Sequence, residues 1–354
     1  MQILAINPGS TSTKIAVFQD DACLWKEVLY HPDQDIRAFA KIGDQYRYRM
    51  DAILNTLQEK GCQLEQFSAI VARGGLLKPL SGGTYLVDEY LVRESHNAPG
   101  GEHASNLGAI IAYHLAQRVN LPAYIVDPVA VDEMEPVARL SGHPELPRIS
   151  LSHALNMKAV ARKVASGLGK TYQEINLVIA HLGGGISVTP HCRGKMIDVN
   201  NANNEGPFSP ERCGTLPSAQ LAKLCYSGKY TEKEMLTQIL KEGGLYAYLG
   251  TKDTREAEKR MNEGDAQARL VLEAMCYQVA KEIGAMSTVL CGEVDRIVLT
   301  GGLAHSAFIT GEITRRVSFI APVMLVPGEE EMESLAMGAL MVLRQEEQAL
   351  VYRA

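Results

Sequence analysis

The stretch Gln2-Ile3-Leu4-Ala5-Ile6-Asn7-Pro8-Gly9-Ser10-Thr11-Ser12-Thr13-Lys14-Ile15-Ala16-Val17-Phe18 sets two apolar runs around a polar turn. Residues 2–6 read as a buried strand and 14–18 as a second, joined as a hairpin by Asn7 to Thr13. Outward from it, residues 34–60 have helical spacing and stop at Gly61. Residues 68–72 read as a strand that runs into Arg73-Gly74-Gly75, 103–119 as a helix, and 123–127 as a strand ending in Asp127. The order then recurs. A helix is predicted over 153–167, a strand over 177–181 with the turn Leu182-Gly183-Gly184-Gly185, and strands over 186–189 and 195–199. Helices over 231–242 and 265–291, a strand over 296–300 meeting Gly301-Gly302, a strand over 322–326 and a helix over 331–347 follow. Alternating strands and helices predict an α/β protein. The repeat, with a period of about 170 residues, is too long for a solenoid and predicts two similar domains around a cleft. Pro144 and Pro147 place their boundary near 145–152.

Composition narrows the class. The 354 residues are 46% hydrophobic and 21% charged, which excludes a disordered, collagen-like or coiled-coil chain. The net charge of −6 argues against nucleic acid as a partner. No run of 18 apolar residues predicts a membrane span, and the first residues do not read as a signal peptide. The seven cysteines never form a C-x-x-C spacing and read as reduced thiols, so a cytoplasmic protein is expected.

Three turns carry candidate chemistry. In the first, Gly9 permits close approach and Ser10, Thr11, Ser12, Thr13 and Lys14 offer hydroxyls and a cation. That fits an anion-binding nest or a solvated hairpin loop. The second, His181-Leu182-Gly183-Gly184-Gly185-Ile186-Ser187, fits approach to a nucleotide phosphate or a glycine-rich bulge. The third, Thr300-Gly301-Gly302-Leu303-Ala304-His305-Ser306, fits a phosphate or ribose site at a helix start, or a plain strand-to-helix turn. Gly169-Lys170-Thr171 is no P-loop, because Val164 stands where its first glycine should. Gly183-x-Gly185 is no dinucleotide fingerprint, because Val188 replaces the third glycine. Together the three turns match a duplicated fold that grips ATP.

At this point the chain resembles the acetate and sugar kinase, heat-shock chaperone and actin superfamily. Within it, the sequence is similar to the butyrate kinases of the acetokinase family. The resemblance rests on Asn7 to Lys14, Ala72-Arg73-Gly74-Gly75-Leu76-Leu77, Gly101-Glu102-His103-Ala104-Ser105-Asn106-Leu107-Gly108, Ser152-His153-Ala154-Leu155-Asn156, and Glu329-Glu330-Glu331-Met332-Glu333-Ser334-Leu335-Ala336-Met337-Gly338. It implies two ribonuclease-H-like (actin-like ATPase) domains with mixed five-stranded sheets around a hinged cleft. They span 1–150 on the acyl-substrate side and 151–334 on the nucleotide side, and the C-terminal helix 335–354 rejoins the first. It further implies ATP/ADP and Mg2+ as cofactors, a small carboxylic acid as substrate and a homo-oligomer.

The resemblance also implies roles. Arg73 and Arg212 meet the substrate and the phosphoryl group, Asp127 acts in catalysis and serves the metal, and His153 touches the transferred group. His103 and Ser152 bind substrate with Arg73. Ser10, Ser12, Lys14, His181, Gly183, Gly184, Gly185, Gly301 and Gly302 bind nucleotide. Asn7 and either Glu330 or Glu331 join Asp127 at the metal. Three positions depart from the acetate kinase pattern: Ser152 replaces a phenylalanine, Met157 a second histidine, and Gly184 an asparagine. Serine at 152 enlarges the acyl pocket, so an acid longer or more branched than acetate is expected.

The expected reaction is transfer of the γ-phosphoryl group from ATP to butyrate. A carboxylic acid with a pKa of about 4–5 is ionised at neutral pH, so the reaction needs no general base. What it needs is positioning and relief of anion–anion repulsion, which paired arginines supply. The competing expectations are acetate, propionate or isobutyrate as substrate, and an actin-like or chaperone-like ATPase that acts on no acid.

Overall fold

The computed structural model describes residues 1–353. They form two compact units, each with its own mixed sheet. The first unit comprises Met1–Asp132, Ala154–Ala159 and the chain from Glu330 onward; the second comprises Glu133–His153 and Val160–Glu329.

The sheet of the first unit contains β1 (Gln2–Pro8), β2 (Ser12–Gln19), β3 (Ala22–Tyr30), β4 (Ala69–Arg73), β5 (Thr84–Leu86), β6 (Ala123–Val126) and, from the chain's far end, β12 (Leu350–Val351). Its order is β12-β5-β6-β4-β1-β2-β3. The sheet of the second unit contains β7 (Asn176–Leu182), β8 (Ile186–Cys192), β9 (Lys195–Met196), β10 (Arg296–Gly301) and β11 (Val323–Pro327), in the order β11-β10-β7-β8-β9. In both, an antiparallel meander leads and two parallel strands join the far side of its first strand. The expected duplication is therefore present in the topology. The second sheet has the expected five strands; the first adds β5 and β12 beyond β6.

Alternation fixes the register of the central strands. Leu4, Ile6, Ile70, Ala72 and Ile125 face one way and pack with Leu107, Ile111 and Leu115 of the helix Asn106–Gln117. Ile3, Ala5, Val71, Tyr124 and Val126 face the other way and pack with Leu335, Ala339 and Leu340 of the helix Glu331–Leu343. Covered on both faces, these strands read as continuous apolar runs. Each buried Leu or Ile contributes about 1.5–3 kcal/mol, so a one-residue slip is strongly disfavoured. In the second unit the helix Ala266–Val289 covers β7 and β8, and Leu272, Met275, Val279 and Ile283 join their apolar core.

The expected boundary near 145–152 falls inside a stretch tied to the second unit. Arg148 donates to the carbonyls of Ala138 and Val199 and pairs with Asp198 and Glu205. Upstream, the Met196 amide donates to Glu133 and the Glu135 amide to the Ile197 carbonyl. Conversely, Glu330 to Ser334, expected with the second domain, open the helix that packs on the first sheet. The helix predicted over 34–60 is three pieces: Asp33–Ile36, a 3-10 turn Ile42–Gln45, and Tyr46–Glu59.

Candidate active site

In the first unit, three polar residues leave the carboxyl ends of neighbouring parallel strands. Asn7 lies near the end of β1, Arg73 ends β4, and Asp127 follows β6. Carboxyl ends of strands are where open α/β sheets bind ligands, because the helices peel away there and leave polar backbone and side chains accessible. Glycines allow the close packing. A Cβ on Gly108 would lie 2.1 Å from the Arg73 carbonyl, so the helix Asn106–Gln117 can seat against β4 only without one.

Glu331 links two of these residues. Its carboxylate accepts from Arg73 Nη1 at 2.8 Å and from Asn7 Nδ2 at 2.6 Å. Of the two glutamates nominated here, Glu331 thus makes these contacts, while Glu330 stands at the helix start and its carbonyl accepts the Ser334 hydroxyl. Asp127 is 1% exposed and holds a left-handed backbone, φ +37°. It is pinned to Gly83 twice, through its own amide to the Gly83 carbonyl at 3.0 Å and through Oδ1, which accepts the Gly83 amide at 2.8 Å. Beside it lies Lys158, 2% exposed. A Cβ on Gly82 would meet Lys158 Nζ at 2.5 Å and Asp127 Oδ1 at 2.9 Å. The bare backbone of Gly82 lets the buried ammonium and the carboxylate share this space.

His103 lies at the unit's surface. Its Nδ1 accepts the Ser105 amide at 3.2 Å and contacts Ser105 Oγ at 2.7 Å, so in the neutral ring the proton sits on Nε2. Surrounding protein and then the Arg73 charge hold its pKa below the ordinary imidazole value. In the turn after β1, Ser10 and Lys14 are exposed and Ser12 is half-buried.

The second unit repeats the arrangement. His181 sits in β7 beside Thr300 of β10 and Ser187 of β8. The His153 ring stacks on the His181 ring, with centroids 4.0 Å apart and 17° between planes. His153 Nδ1 lies 3.3 Å from Ser187 Oγ, and His181 Nε2 lies 3.2 Å from Glu329 Oε1. A Cβ on Gly185 would lie 2.6 Å from Arg212 Nη1, so the guanidinium rests on bare backbone there. At Gly183 and Gly184 the nearest atoms would be 3.4 and 3.5 Å away, which is ordinary contact. Ser209 donates to the Gly184 carbonyl at 2.5 Å and accepts the Arg212 amide at 3.2 Å, fastening the arginine loop to the glycine turn. Arg212 Nε is buried without a partner, and burial pushes the guanidinium below its ordinary pKa. A guanidinium with a buried, unpartnered Nε on a glycine turn suits an anion. Gly301, φ +88°, ends β10 where a Cβ would meet the Leu182 carbonyl at 2.5 Å, and Gly302 opens a 3-10 turn. Ser152 is 8% exposed and its hydroxyl is buried without a partner.

A family model described as the acetokinase family matches residues 150–327, half of the chain. The chain belongs to the acetokinase family. Solved structures agree on the fold across nearly the whole length. An acetate kinase from Porphyromonas gingivalis superposes with a TM-score of 0.79 at 18% identity, covering 97% of this chain and 99% of that one. A propionate kinase from Francisella tularensis gives 0.74 at 20% identity, covering 95% and 98%. A hexokinase from Thermus thermophilus gives 0.51 at 15% identity, covering 98% and 99%. The fold is that of the actin-like ATPases, as expected.

As a member of the acetokinase family the chain is a carboxylate kinase. Two buried charges, Lys158 and Arg49, lie near the expected site residues and are not among them. Both stand at apolar-face positions of a helix: Lys158 among Ala154, Leu155 and Ala161, Arg49 among Met50, Ile53 and Leu57. A charge on a buried face is the signal that could have found them. Among the described residues, no three His, Cys, Asp or Glu side chains cluster to hold a metal, and no helix is long and apolar enough to cross a membrane. Magnesium asks for little protein: one or two carboxylates, with waters and phosphates completing its shell. The oxygen donors of Asn7, Asp127 and Glu331 fit that demand.

Proposed function

We propose that this carboxylate kinase phosphorylates butyrate, transferring the γ-phosphoryl group of ATP to give butyryl phosphate and ADP, reversibly. The observation that carries the chain-length reading is Ser152, a small residue with a buried, unpartnered hydroxyl where acetate kinases place a phenylalanine. Space left by the missing ring accommodates the longer acyl tail.

The residues divide the work by their chemistry. Arg73 offers a planar fork to the carboxylate acceptor, and Arg212 offers one with an unpartnered Nε to the phosphoryl group. His103 supplies a neutral Nε2–H donor beside Arg73 for the substrate. His153, oriented by its stack on His181 and by Ser187, faces the transferred group. Ser10, Ser12 and Lys14 with Gly183, Gly184, Gly185, Gly301 and Gly302 receive the nucleotide. Mg2+, held by Asp127, Glu331 and Asn7, offsets phosphate charge when bound. The acceptor oxygen attacks phosphorus as the bond to the ADP oxygen breaks, and no proton moves because the acid is already ionised. Cytoplasmic location and self-association belong to the same reading.

The deciding experiment follows ADP release and hydroxamate-trapped product with magnesium, ATP and unbranched or branched acids of about two to five carbons. A kcat/KM maximum at butyrate supports the proposal. A maximum at acetate or propionate defeats the Ser152 argument and leaves a carboxylate kinase. A maximum at isobutyrate assigns the space to a branch.

A further inference from the structure

Arg49 is the largest side chain to be fully buried, at 1% exposure on the helix Tyr46–Glu59. Its guanidinium is spent on the turn after β1. Nη1 donates to the Gly9 carbonyl at 2.7 Å, the Ser12 carbonyl at 3.0 Å and Thr13 Oγ1 at 3.2 Å. Nη2 donates to the Ser10 carbonyl at 2.9 Å. Nε and Nη2 both donate to Gln45 Oε1, at 3.1 and 2.8 Å. The remaining carbonyl of the turn, that of Thr11, accepts the His31 amide at 2.8 Å. Four consecutive carbonyls, from Gly9 to Ser12, are therefore occupied by donors from the protein.

Every one of these partners is neutral, and Arg49 forms no ion pair among the described residues. Burial pushes its pKa down to about 10, which leaves the guanidinium charged at neutral pH. A buried, uncompensated charge is costly to a fold. Here it lies directly beneath a turn whose exposed side carries Ser10, Thr11 and Lys14.

We propose that Arg49 is a positioning residue for phosphoryl binding at residues 9–14: it holds the turn's carbonyls away from the ligand, and its charge is balanced only when the anionic phosphoryl group is bound. This rests on the reading of that turn as part of the nucleotide site. Arg49 touches no substrate; it acts through the backbone it grips and through its field.

Gln45→Glu separates charge from scaffold. The glutamate keeps an oxygen at the same bonding distance from Nε and Nη2 but neutralises the guanidinium. A purely structural Arg49 would gain from it, because a carboxylate satisfies a buried cation better than an amide does. We expect Gln45→Glu to melt at or above the wild-type temperature yet bind ATP at least tenfold more weakly by titration calorimetry. Ser12→Ala, measured alongside, tests the turn itself and is expected to weaken ATP as well. Wild-type affinity in Gln45→Glu with weakened binding in Ser12→Ala overturns the role of Arg49 and keeps the turn. Wild-type affinity in both variants overturns the turn reading and this inference with it. Should Gln45→Glu fail to fold, Arg49→Lys decides: it keeps the charge but loses the fork, so a folded protein with wild-type ATP affinity overturns the proposal and a loss of tenfold or more supports it.

Discussion

Arg73 and Glu331, 258 positions apart, meet at 2.8 Å in the first unit, and the same carboxylate takes the Asn7 amide at 2.6 Å. Glu331 so holds one arm of the Arg73 guanidinium, Nη1, and in the proposed function that fork turns toward the substrate carboxylate. The pair is only 24% and 15% exposed, so removing the arginine costs about 1–3 kcal/mol, softened by the bond that Asn7 keeps to the same carboxylate. Arg73→Ala is therefore expected to fold with a modestly lowered melting temperature while acyl phosphate formation falls by about 10³ or more, the range for arginines that stabilise phosphoryl transfer. Near-normal turnover would remove Arg73 from the site.

Gly185 and Arg212 yield a second expectation. Alanine at 185 would place a methyl group 2.6 Å from Arg212 Nη1 and 2.9 Å from its Cζ. The guanidinium must move, and in the phosphoryl-binding role proposed for Arg212 a displacement of about 1 Å costs about 10² in rate. At 184 the nearest atom is 3.5 Å away, in the Glu211 side chain, so alanine fits there. Gly185→Ala should lower kcat about a hundredfold, and Gly184→Ala should act mainly on KM for ATP. Steady-state kinetics with varied ATP separate the two, and equal kcat in both variants would contradict the packing argument.

How much of this was legible depended on where a residue's signal lies. The central strands announced themselves because both faces are buried, so β1, β4, β7 and β10 read as apolar runs. β3 did not, since its nine residues alternate at an edge and carry Lys26 and Glu27. β5 and β12 are too short for any pattern, and only their pairing in the fold defines them. Helices such as Glu89–Asn97 and Thr254–Asn262 are mostly polar, and their caps, Asp88 and Asp253, were the signal to use. In the site, motif residues at strand ends were visible because glycine and polar residues interrupt apolar runs there. Glu330 and Glu331 are not separable in a run of acids, since only the helix start decides which side chain turns toward β1 and β4. Arg49 and Lys158 are hard to read because a long cation within a helix ordinarily belongs to its solvated face, and here both are buried.

Gly82 bears on Asp127 through Lys158. A methyl group at 82 would collide with the ammonium at 2.5 Å and crowd the carboxylate at 2.9 Å. Both Gly82→Ala and Lys158→Met are expected to raise the magnesium concentration needed for half-maximal rate, by about tenfold, the scale on which supporting residues tune metal sites. Lys158→Arg should recover less than half of the loss, because its planar head does not fit the space over Gly82. Unchanged magnesium dependence in both variants would assign Lys158 to packing alone.

Ser152→Phe tests the acyl pocket. An added ring should exclude the longer acids more than acetate, with discrimination per methylene of about 1–3 kcal/mol, or roughly 10- to 200-fold in the kcat/KM ratio. An unchanged ratio of butyrate to acetate would mean that the acid binds elsewhere.

His31 makes the protein's stability depend on pH in a defined window. The ring is 4% exposed, its Nε2 lies 2.8 Å from Thr13 Oγ1, and burial, helped by the Arg49 charge, pushes its pKa down from 6.5 to about 4. The unfolded chain takes up this proton near pH 6.5 and the folded protein only near pH 4. Between those values the unfolded state binds more protons, so stability is full above about pH 6.5 and falls as the solution is acidified toward pH 4. At 1.36 kcal/mol per pKa unit the loss is on the order of 3 kcal/mol. His31→Gln keeps a polar partner for Thr13 and has no proton to gain. Urea melts at about pH 7 and pH 4.5 should show the wild type losing more stability than His31→Gln, because carboxylate titration is common to both proteins. Equal losses would mean that the folded protein protonates this ring as readily as the unfolded chain does.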